Sequence, residues 1–277
     1  VKKTSLFTRI FNALVFLFLY LPIVVLIVFS FNDSKSRTVW SGFTTRWYTE
    51  LFRDDAIISA FTTTIMVSVL AALIATVVGT VAAIGFASMR RRPRGFFMGI
   101  NSIPMTNADI ITGVSLMLLF VYFGDRLGFS MGFGTLLAAH ITFDVPYVIL
   151  SVMPKLRQLD RNLAEAAEDL GATPVQAFRM VVLPELWPGI LNGMIIAFTL
   201  SIDDFVISYF TAGSNVSTLA MEIYAMTRRR ISPEINALST LLFTVVLTLL
   251  IIVNLREVRQ QKAEQKRLRV LRSGAGK

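Results

Sequence analysis

The sequence predicts an all-α membrane protein with six transmembrane helices, and three observations carry that expectation. Of its 277 residues, 54% are hydrophobic and only 16% charged, with a mean hydropathy of +0.64. That is the composition of a membrane chain, not of a soluble domain. Apolar runs recur along the chain, each near the ~20 residues that a helix needs to cross the hydrocarbon. The 27 Lys and Arg residues gather between and beyond those runs. Cysteine is absent and there is one histidine, which excludes a disulfide framework, a thiolate metal site and a His-rich metal centre.

The first span is Phe11–Phe31. No cleavable signal peptide is expected, because this run is long and lacks a small-residue cleavage site. In the polar loop that follows, Trp40, Trp47 and Tyr48 read most simply as interfacial anchors. The second span lies within Ala56–Ser88, longer than crossing requires, so part of it tilts or protrudes. The block Arg90-Arg91-Arg92-Pro93-Arg94 is a topology signal, not a nucleic-acid patch, because it is wedged between two spans. The third span, within Phe96–Gly124, holds Asn101, Pro104 and Asp109, and the fourth, near Gly134–Met153, holds His140, Asp144 and Pro146. The fifth runs about Gly189–Ala212 and the sixth about Ala237–Leu255. The chain thus divides into residues 1–55 (first span and outer loop), a core of spans two to six over 56–255 and a basic tail over 256–277. With both termini on the cytoplasmic side, 19 Lys and Arg lie inside and 8 outside, as the positive-inside rule requires. The Arg228-Arg229-Arg230 run is the discordant note on the outside.

Between the fourth and fifth spans, residues 162–190 read as two short helices with a sharp bend. Asn162 as N-cap with Glu165 three residues on is a capping-box pattern. Gly171 sits where a left-handed C-cap glycine belongs. Thr173, Pro174 and Gln176 mark a second start, and Pro184 is expected to close that helix. An amphipathic element lying on the membrane surface would explain such a stretch. The pattern Glu165-Ala166-Ala167, Gly171 and Val181-Val182-Leu183-Pro184 also resembles the EAA motif of bacterial ABC importer permeases, with Val181 where isoleucine is commoner. That resemblance implies the type I ABC importer permease fold. It also implies a cytoplasmic coupling helix, in which Glu165, Ala166, Ala167, Gly171, Leu183 and Pro184 meet a separate ATPase.

No Walker A sequence is present, so this chain is expected not to bind ATP, and no catalytic constellation is found. His140 reads as a packed, hydrogen-bonded residue. Asp109, Asp144, Asp203 and Asp204 fall near the middle of expected spans, where no Lys or Arg falls. A carboxylate there costs on the order of 2.5–3.5 kcal/mol, so such groups normally face a bundle interior or a water-filled path. With no cation of this chain beside them, a cationic cargo is the economical partner. Ser201, Asp204, Ser208 and Thr211 form a polar stripe on one helical face, and Asp203 points about 100° away. One aspartate of the pair could simply bond neighbouring hydroxyls while the other serves function. Asp109 could contact cargo or lend polarity to helix packing. Asp144, beside Pro146, is expected to cap freed backbone groups.

Ser30-Phe31-Asn32, Arg46-Trp47-Tyr48, Leu200 to Asp204 and Ser232 to Ala237 resemble the inner-membrane permeases of bacterial spermidine/putrescine ABC importers, nearest the second of the two permeases in such systems. The resemblance implies polyamine import across the inner membrane by alternating access. Its implied partners are a second related permease, two copies of an ABC ATPase that bind ATP and Mg, and an extracytoplasmic polyamine-binding protein. No cofactor in this chain and no nucleic acid are implied. Asp109, Asp203 and Asp204 match acidic positions of that family, whereas Asp144 does not. Phe205, Tyr209 and Tyr224 could hold ammonium or methylene groups by cation–π contact, the alternative being packing against lipid or core. Other cargoes remain open at this stage, as does a proton-coupled secondary transporter. The latter would be expected to show inverted repeats and broken helices, and the sequence shows neither.

Overall fold

The computed structural model describes residues 6–34, 39–160, 162–229, 234–248 and 250–251, all helical or irregular apart from an isolated bridge between Asn32 and Phe43. In chain order the helices are α1 (Leu6–Phe29), α2 (Arg46–Leu51), α3 (Asp55–Ser88), α4 (Arg91–Thr106), α5 (Asp109–Leu127), α6 (Phe133–Gln158), α7 (Asn162–Asp169) and α8 (Pro174–Ala177). A π turn over Phe178–Val182 then leads into α9 (Leu183–Asp203), α10 (Val206–Thr211) and α11 (Leu219–Arg229), and α12 covers Glu234–Thr248. Five stretches are long and apolar enough to cross a membrane: Phe7–Phe29, Asp55–Ser88, Asp109–Leu127, Phe133–Gln158 and Pro174–Asp203. The sixth expected span starts within α12, and its end at residues 252–255 lies outside the described residues, as do the tail and Arg230. The chain divides into two compact units, one of residues 56–222 and one of residues 1–55 with 223–277.

In the smaller unit, the loop after α1 is tied by buried polar bonds. Trp47 is 2% exposed and donates its indole N–H to the Asn32 carbonyl at 2.8 Å. The Tyr48 hydroxyl meets Ser30 Oγ at 2.7 Å, and Phe31 stacks on Phe43. Asn32 Oδ1 takes the backbone N–H groups of Ser34 and Ser41, while its Nδ2 donates to the Val39 carbonyl. Trp47 and Tyr48 are therefore struts of this loop and not the interfacial anchors expected; only Trp40, half exposed, keeps that option.

The larger unit is built on close helix approach through small residues. Without a hydrophobic force between spans, packing distance decides association, and small side chains shorten it. Val148 of α6 shows this from both sides. A Cβ on Gly79 of α3 would fall 2.8 Å from Val148 Cβ, and one on Gly193 of α9 would fall 3.2 Å from Val148 Cα. Ser151 adds a bond from its hydroxyl to the Gly189 carbonyl, 3.1 Å. The core around this seam comprises Ala72, Ala75, Val148, Val152, Leu186 and Ala197, all nearly sealed. At ~1.5 Å per residue, the 34 residues of α3 exceed what the hydrocarbon needs, in line with the protrusion expected.

Two helices expected to be continuous are broken. The third span divides at Asn107-Ala108, both with extended backbone (ψ 151° and 137°). Pro104 weakens the ladder just before, and Asn107 favours caps over helix interiors. Asp109 therefore does not lie mid-span; it occupies the first turn of α5, where free N–H groups favour an acidic side chain. The fifth span divides at Asp204-Phe205, between α9 and α10. Broken helices, which the sequence did not reveal, are thus part of this fold.

The stretch after α6 bends as expected, with two corrections. Gly171 has φ +90° and ends α7, its N–H and that of Ala172 returning to the carbonyls of Glu168 and Ala167. The Thr173–Gln176 capping box is formed in both directions. Asn162, however, is already helical, and its N–H goes to the Asp160 carboxyl at 3.0 Å, so Asn162 is not the N-cap. Pro184 does not close the second helix either. The π turn shifts the bonding register, Leu183 N–H reaching Phe178 O, and the helix continues through the proline into α9.

Candidate functional site

The two breaks come together. α10 packs on both α5 and α6. Gly113, in the second turn of α5, permits the approach: a Cβ there would lie 3.0 Å from Phe210 Cδ2 and 3.4 Å from the Val206 carbonyl. The starts of α5 and α10 are therefore neighbours. Asp109 is exposed in the first turn of α5, and Asp203 is exposed as the last residue of α9. The Phe205 and Tyr209 rings lie 5.5 Å apart, and Tyr209 is 53% exposed.

Asp204 has a different environment from Asp203. Its Oδ2 accepts the Ser208 N–H at 2.8 Å and the Ser208 hydroxyl at 2.9 Å, while Oδ1 accepts the Ile207 N–H at 3.3 Å. It caps the helix that restarts after the break. Of the two readings the sequence left open for the pair, the geometry gives the hydroxyl-bonded role to Asp204 and leaves Asp203 outward.

Behind the break lies a buried polar chain. His140 of α6, 2% exposed, has Nδ1 3.0 Å from Ser201 Oγ and Nε2 3.0 Å from Ser208 Oγ. Its Nε2 is also 3.7 Å from Asp204 Oδ2. Ser201 donates its hydroxyl to Asp144 Oδ2 at 2.7 Å, and Asp144 is fully buried. Asp144 Oδ1 has no hydrogen-bond partner among the described residues. The expectation that Asp144 caps backbone freed by Pro146 is thus overturned: its bond is to a side chain on α9, because the proline leaves α6 helical through this turn. The polar stripe is not one face of one helix, since the helix breaks within it. Ser201 and Ser208 nevertheless meet at the same imidazole, so the line of polar groups persists across the break. Thr211 turns instead to the Ile207 carbonyl at 2.8 Å.

Tyr224 belongs to the other unit, with the Arg228 guanidinium 5.1 Å from its ring centre. Asp109, Asp203, Asp204, Phe205 and Tyr209 share the larger unit, on helices that touch. The site that emerges offers outward carboxyl and aromatic groups where helical backbone is interrupted, a chemistry suited to an organic cation.

The bent element between α6 and α9 presents the opposite character. Leu170, Val175 and Met180 are 91%, 75% and 73% exposed. Glu165, Ala166, Gly171 and Pro184 are also exposed, whereas Ala167 and Leu183 are half-buried. Leu183 and Val182 pack against the α6–α9 core.

Residues 75–257 match the family described as the binding-protein-dependent transport system inner membrane component. The chain belongs to this family. It is a multi-pass inner-membrane permease, a transport component whose systems bind ATP on a separate ATPase. The permease is 43% identical over 234 residues to the putrescine transport system permease protein PotI of Escherichia coli, covering 83% of each chain. It is 37% identical to the spermidine/putrescine transport system permease protein PotC of Escherichia coli, covering 87% of this chain and 90% of that one. To PotC of Haemophilus influenzae it is 36% identical, covering 87% and 93%. Among solved structures, a bacterial ABC transporter that imports the acidic polysaccharide alginate has a chain of like fold, TM-score 0.67 at 17% identity, with 92% and 95% covered. The MetNI methionine ABC transporter gives 0.60 at 19%, with 79% and 99% covered. At these identities the two structures establish the fold alone.

Proposed function

We propose that this permease carries polyamines, putrescine, spermidine or both, into the cytoplasm by alternating access. The observation that carries the cargo assignment is the outward Asp203 carboxyl beside the Phe205–Tyr209 aromatic pair at the α9–α10 break. A linear polyamine is a string of ammonium groups on methylene spacers, and carboxyl and π faces bind those two parts. The names of the 43% and 37% identical relatives point the same way. Asp109, at the start of the adjoining α5, extends the path and Asp204 shapes it from behind; Tyr224, in the other unit, is a separate candidate contact for the cargo.

The full architecture has six spans, both termini cytoplasmic, and residues 162–190 as the coupling element. ATP and Mg sit on two copies of an ABC ATPase, whose closure pulls on Glu165–Gly171. A second permease completes the path, and an extracytoplasmic polyamine-binding protein delivers cargo. The exposed Leu170, Val175 and Met180 support the docking role, because apolar side chains on a short helical tip are expected to meet a partner. The broken helices are what a proton-coupled transporter would also use, so the energy source must be tested directly. The assay is uptake of labelled putrescine and spermidine into proteoliposomes holding the whole transporter. Uptake should require ATP inside and survive collapse of the proton gradient. Uptake driven by the gradient without ATP refutes the mechanism, and uptake of neutral or anionic solutes in preference refutes the cargo. Glu165→Lys should leave the permease inserted and abolish uptake; normal uptake would remove the coupling assignment.

A further inference from the structure

The His140 network lies behind the cargo-facing groups, and its hydrogen bonds run to Ser201 and Ser208, not to Asp109 or Asp203, so it needs a role of its own. We propose that His140 is a positioning residue: its imidazole clamps the α9–α10 break by bridging Ser201 and Ser208, and so fixes the direction in which Asp203 is presented.

Ser201 is in the last turn of α9 and Ser208 in the first turn of α10, on opposite sides of the non-helical Asp204-Phe205 step. Backbone at such a step has lost helical bonds, so its geometry rests on side-chain ties and packing. The imidazole supplies the tie at 3.0 Å to each serine. Among side chains only histidine carries two polar nitrogens facing different ways on one rigid ring. A Gln or Asn amide has both polar atoms at one end, and a Trp has a single donor. Each serine is itself held from its far side, Ser201 by Asp144 Oδ2 and Ser208 by Asp204 Oδ2, at 2.7 and 2.9 Å. Each hydroxyl has one hydrogen: where it goes to the carboxylate, the ring nitrogen facing that serine is the donor, and neither serine turns from the ring without loosening a second bond. His140 stands on α6, the helix that also packs along α9 through Val148 and Ser151. The clamp is thus referenced to the most closely packed seam of the unit, and Asp203, one residue before Asp204, inherits its orientation. The proposal uses the polyamine reading only for the identity of what Asp203 meets.

The test uses the whole transporter with cysteine-free partner subunits, since this chain has no cysteine of its own. Spin labels at Trp187→Cys and Ser214→Cys report across the break; labels at Leu150→Cys and Trp187→Cys report on the α6–α9 seam as a control. Double electron–electron resonance then gives the width of each distance distribution. His140→Phe keeps a ring and removes both bonds; Ser208→Ala removes one of them, together with the Ser208 hydroxyl bond to Asp204, and is the milder change. The expected result is a distribution across the break that widens about twofold in His140→Phe, with an intermediate width in Ser208→Ala and a narrow control in both. Uptake per assembled complex should fall on the order of tenfold in His140→Phe, because a misaimed group loses effective concentration. Native width across the break in both variants overturns the clamp. So does a control that widens equally, which would mean a general packing role. If His140→Phe does not assemble, Ser208→Ala alone decides by the same two widths. A native transporter that moves a different cation would refute the polyamine reading and leave the clamp to be judged by the widths.

Discussion

Replacing Asp204 in two ways separates its capping role from its acidity. Its Oδ2 holds the two short bonds, to the Ser208 N–H and hydroxyl, and Oδ1 holds the longer 3.3 Å bond to Ile207 N–H. In Asp204→Asn the amide oxygen can take the Oδ2 position and keep both short bonds, giving up only the longest. Asn and Asp are equally good N-caps, so the α10 start should hold to within a few tenths of a kcal/mol. Asp204→Ala loses all three bonds, and cap removal costs about 0.5–2 kcal/mol. A cost of about 1–2 kcal/mol is roughly 5–30-fold in the balance between formed and opened α10. The readout is hydrogen exchange at the α10 amides of the assembled transporter, measured by mass spectrometry, with uptake alongside. Asp204→Asn should leave protection near native yet slow uptake. Asp204→Ala should lose both. Equal loss of protection in the two variants would refute the cap, and native uptake in Asp204→Asn would refute any need for the acid.

Other consequences follow from single contacts. Asp203→Asn should slow polyamine uptake with α10 protection unchanged, because Asp203 is exposed and caps nothing; unaltered uptake kinetics would count against it as a cargo ligand. Gly171→Pro should abolish ATPase capture in a pull-down, because φ +90° is far from the proline value of about −65°; Gly171→Ala, costing roughly 1–2 kcal/mol for a left-handed residue, should weaken capture without abolishing it. Gly193→Leu should cut the yield of assembled transporter, since even a Cβ there meets Val148 Cα at 3.2 Å and Ser151 Cβ at 3.3 Å, whereas Gly85→Ala meets nothing and should be silent in the same measurement. Trp47→Phe removes the indole bond to the buried Asn32 carbonyl and should lower stability by about 1–3 kcal/mol, seen as a lower melting temperature of the detergent-purified transporter.

Hydropathy placed the first, second and fourth spans well, because lipid solvates whole helices and the signal averages over many residues. The breaks escaped that average. The run from Phe96 to Gly124 reads as one span on average, and nothing in its periodicity marks where backbone turns extended. A local signal did exist at each place: a polar residue followed by an apolar helix, Asn107 with Asp109 in one case and Asp204 with Ser208 in the other, is how a helix start is written. Reading Asp109 and Asp204 as mid-span charges hid that they are helix-start residues. The Trp47 error has the same root, since an aromatic residue in a loop looks interfacial until its N–H is seen to find a carbonyl 15 residues away.

His140 shows what a linear reading cannot reach. Its partners are 61 and 68 residues along the chain, and no pattern within a helix predicts which face of α6 will meet the end of α9. What the sequence could supply was chemistry: one imidazole and several hydroxyls and carboxyls in a chain that otherwise avoids polarity. In lipid a buried polar group finds a partner or remains costly. A histidine in one span and a serine–aspartate stripe in another therefore constrain each other before any coordinates exist. Had the polar residues of the two spans been paired by that requirement, His140 would have been set against Ser201 and Ser208, and Asp144 would have moved from backbone cap to the end of the same chain. The break at Asp204 follows from this too. A continuous helix would place Ser201 and Ser208 about two turns apart on one face, ~10.5 Å along the axis, too far for one ring to meet both at 3.0 Å. An interrupted helix is the arrangement that lets a single imidazole hold both.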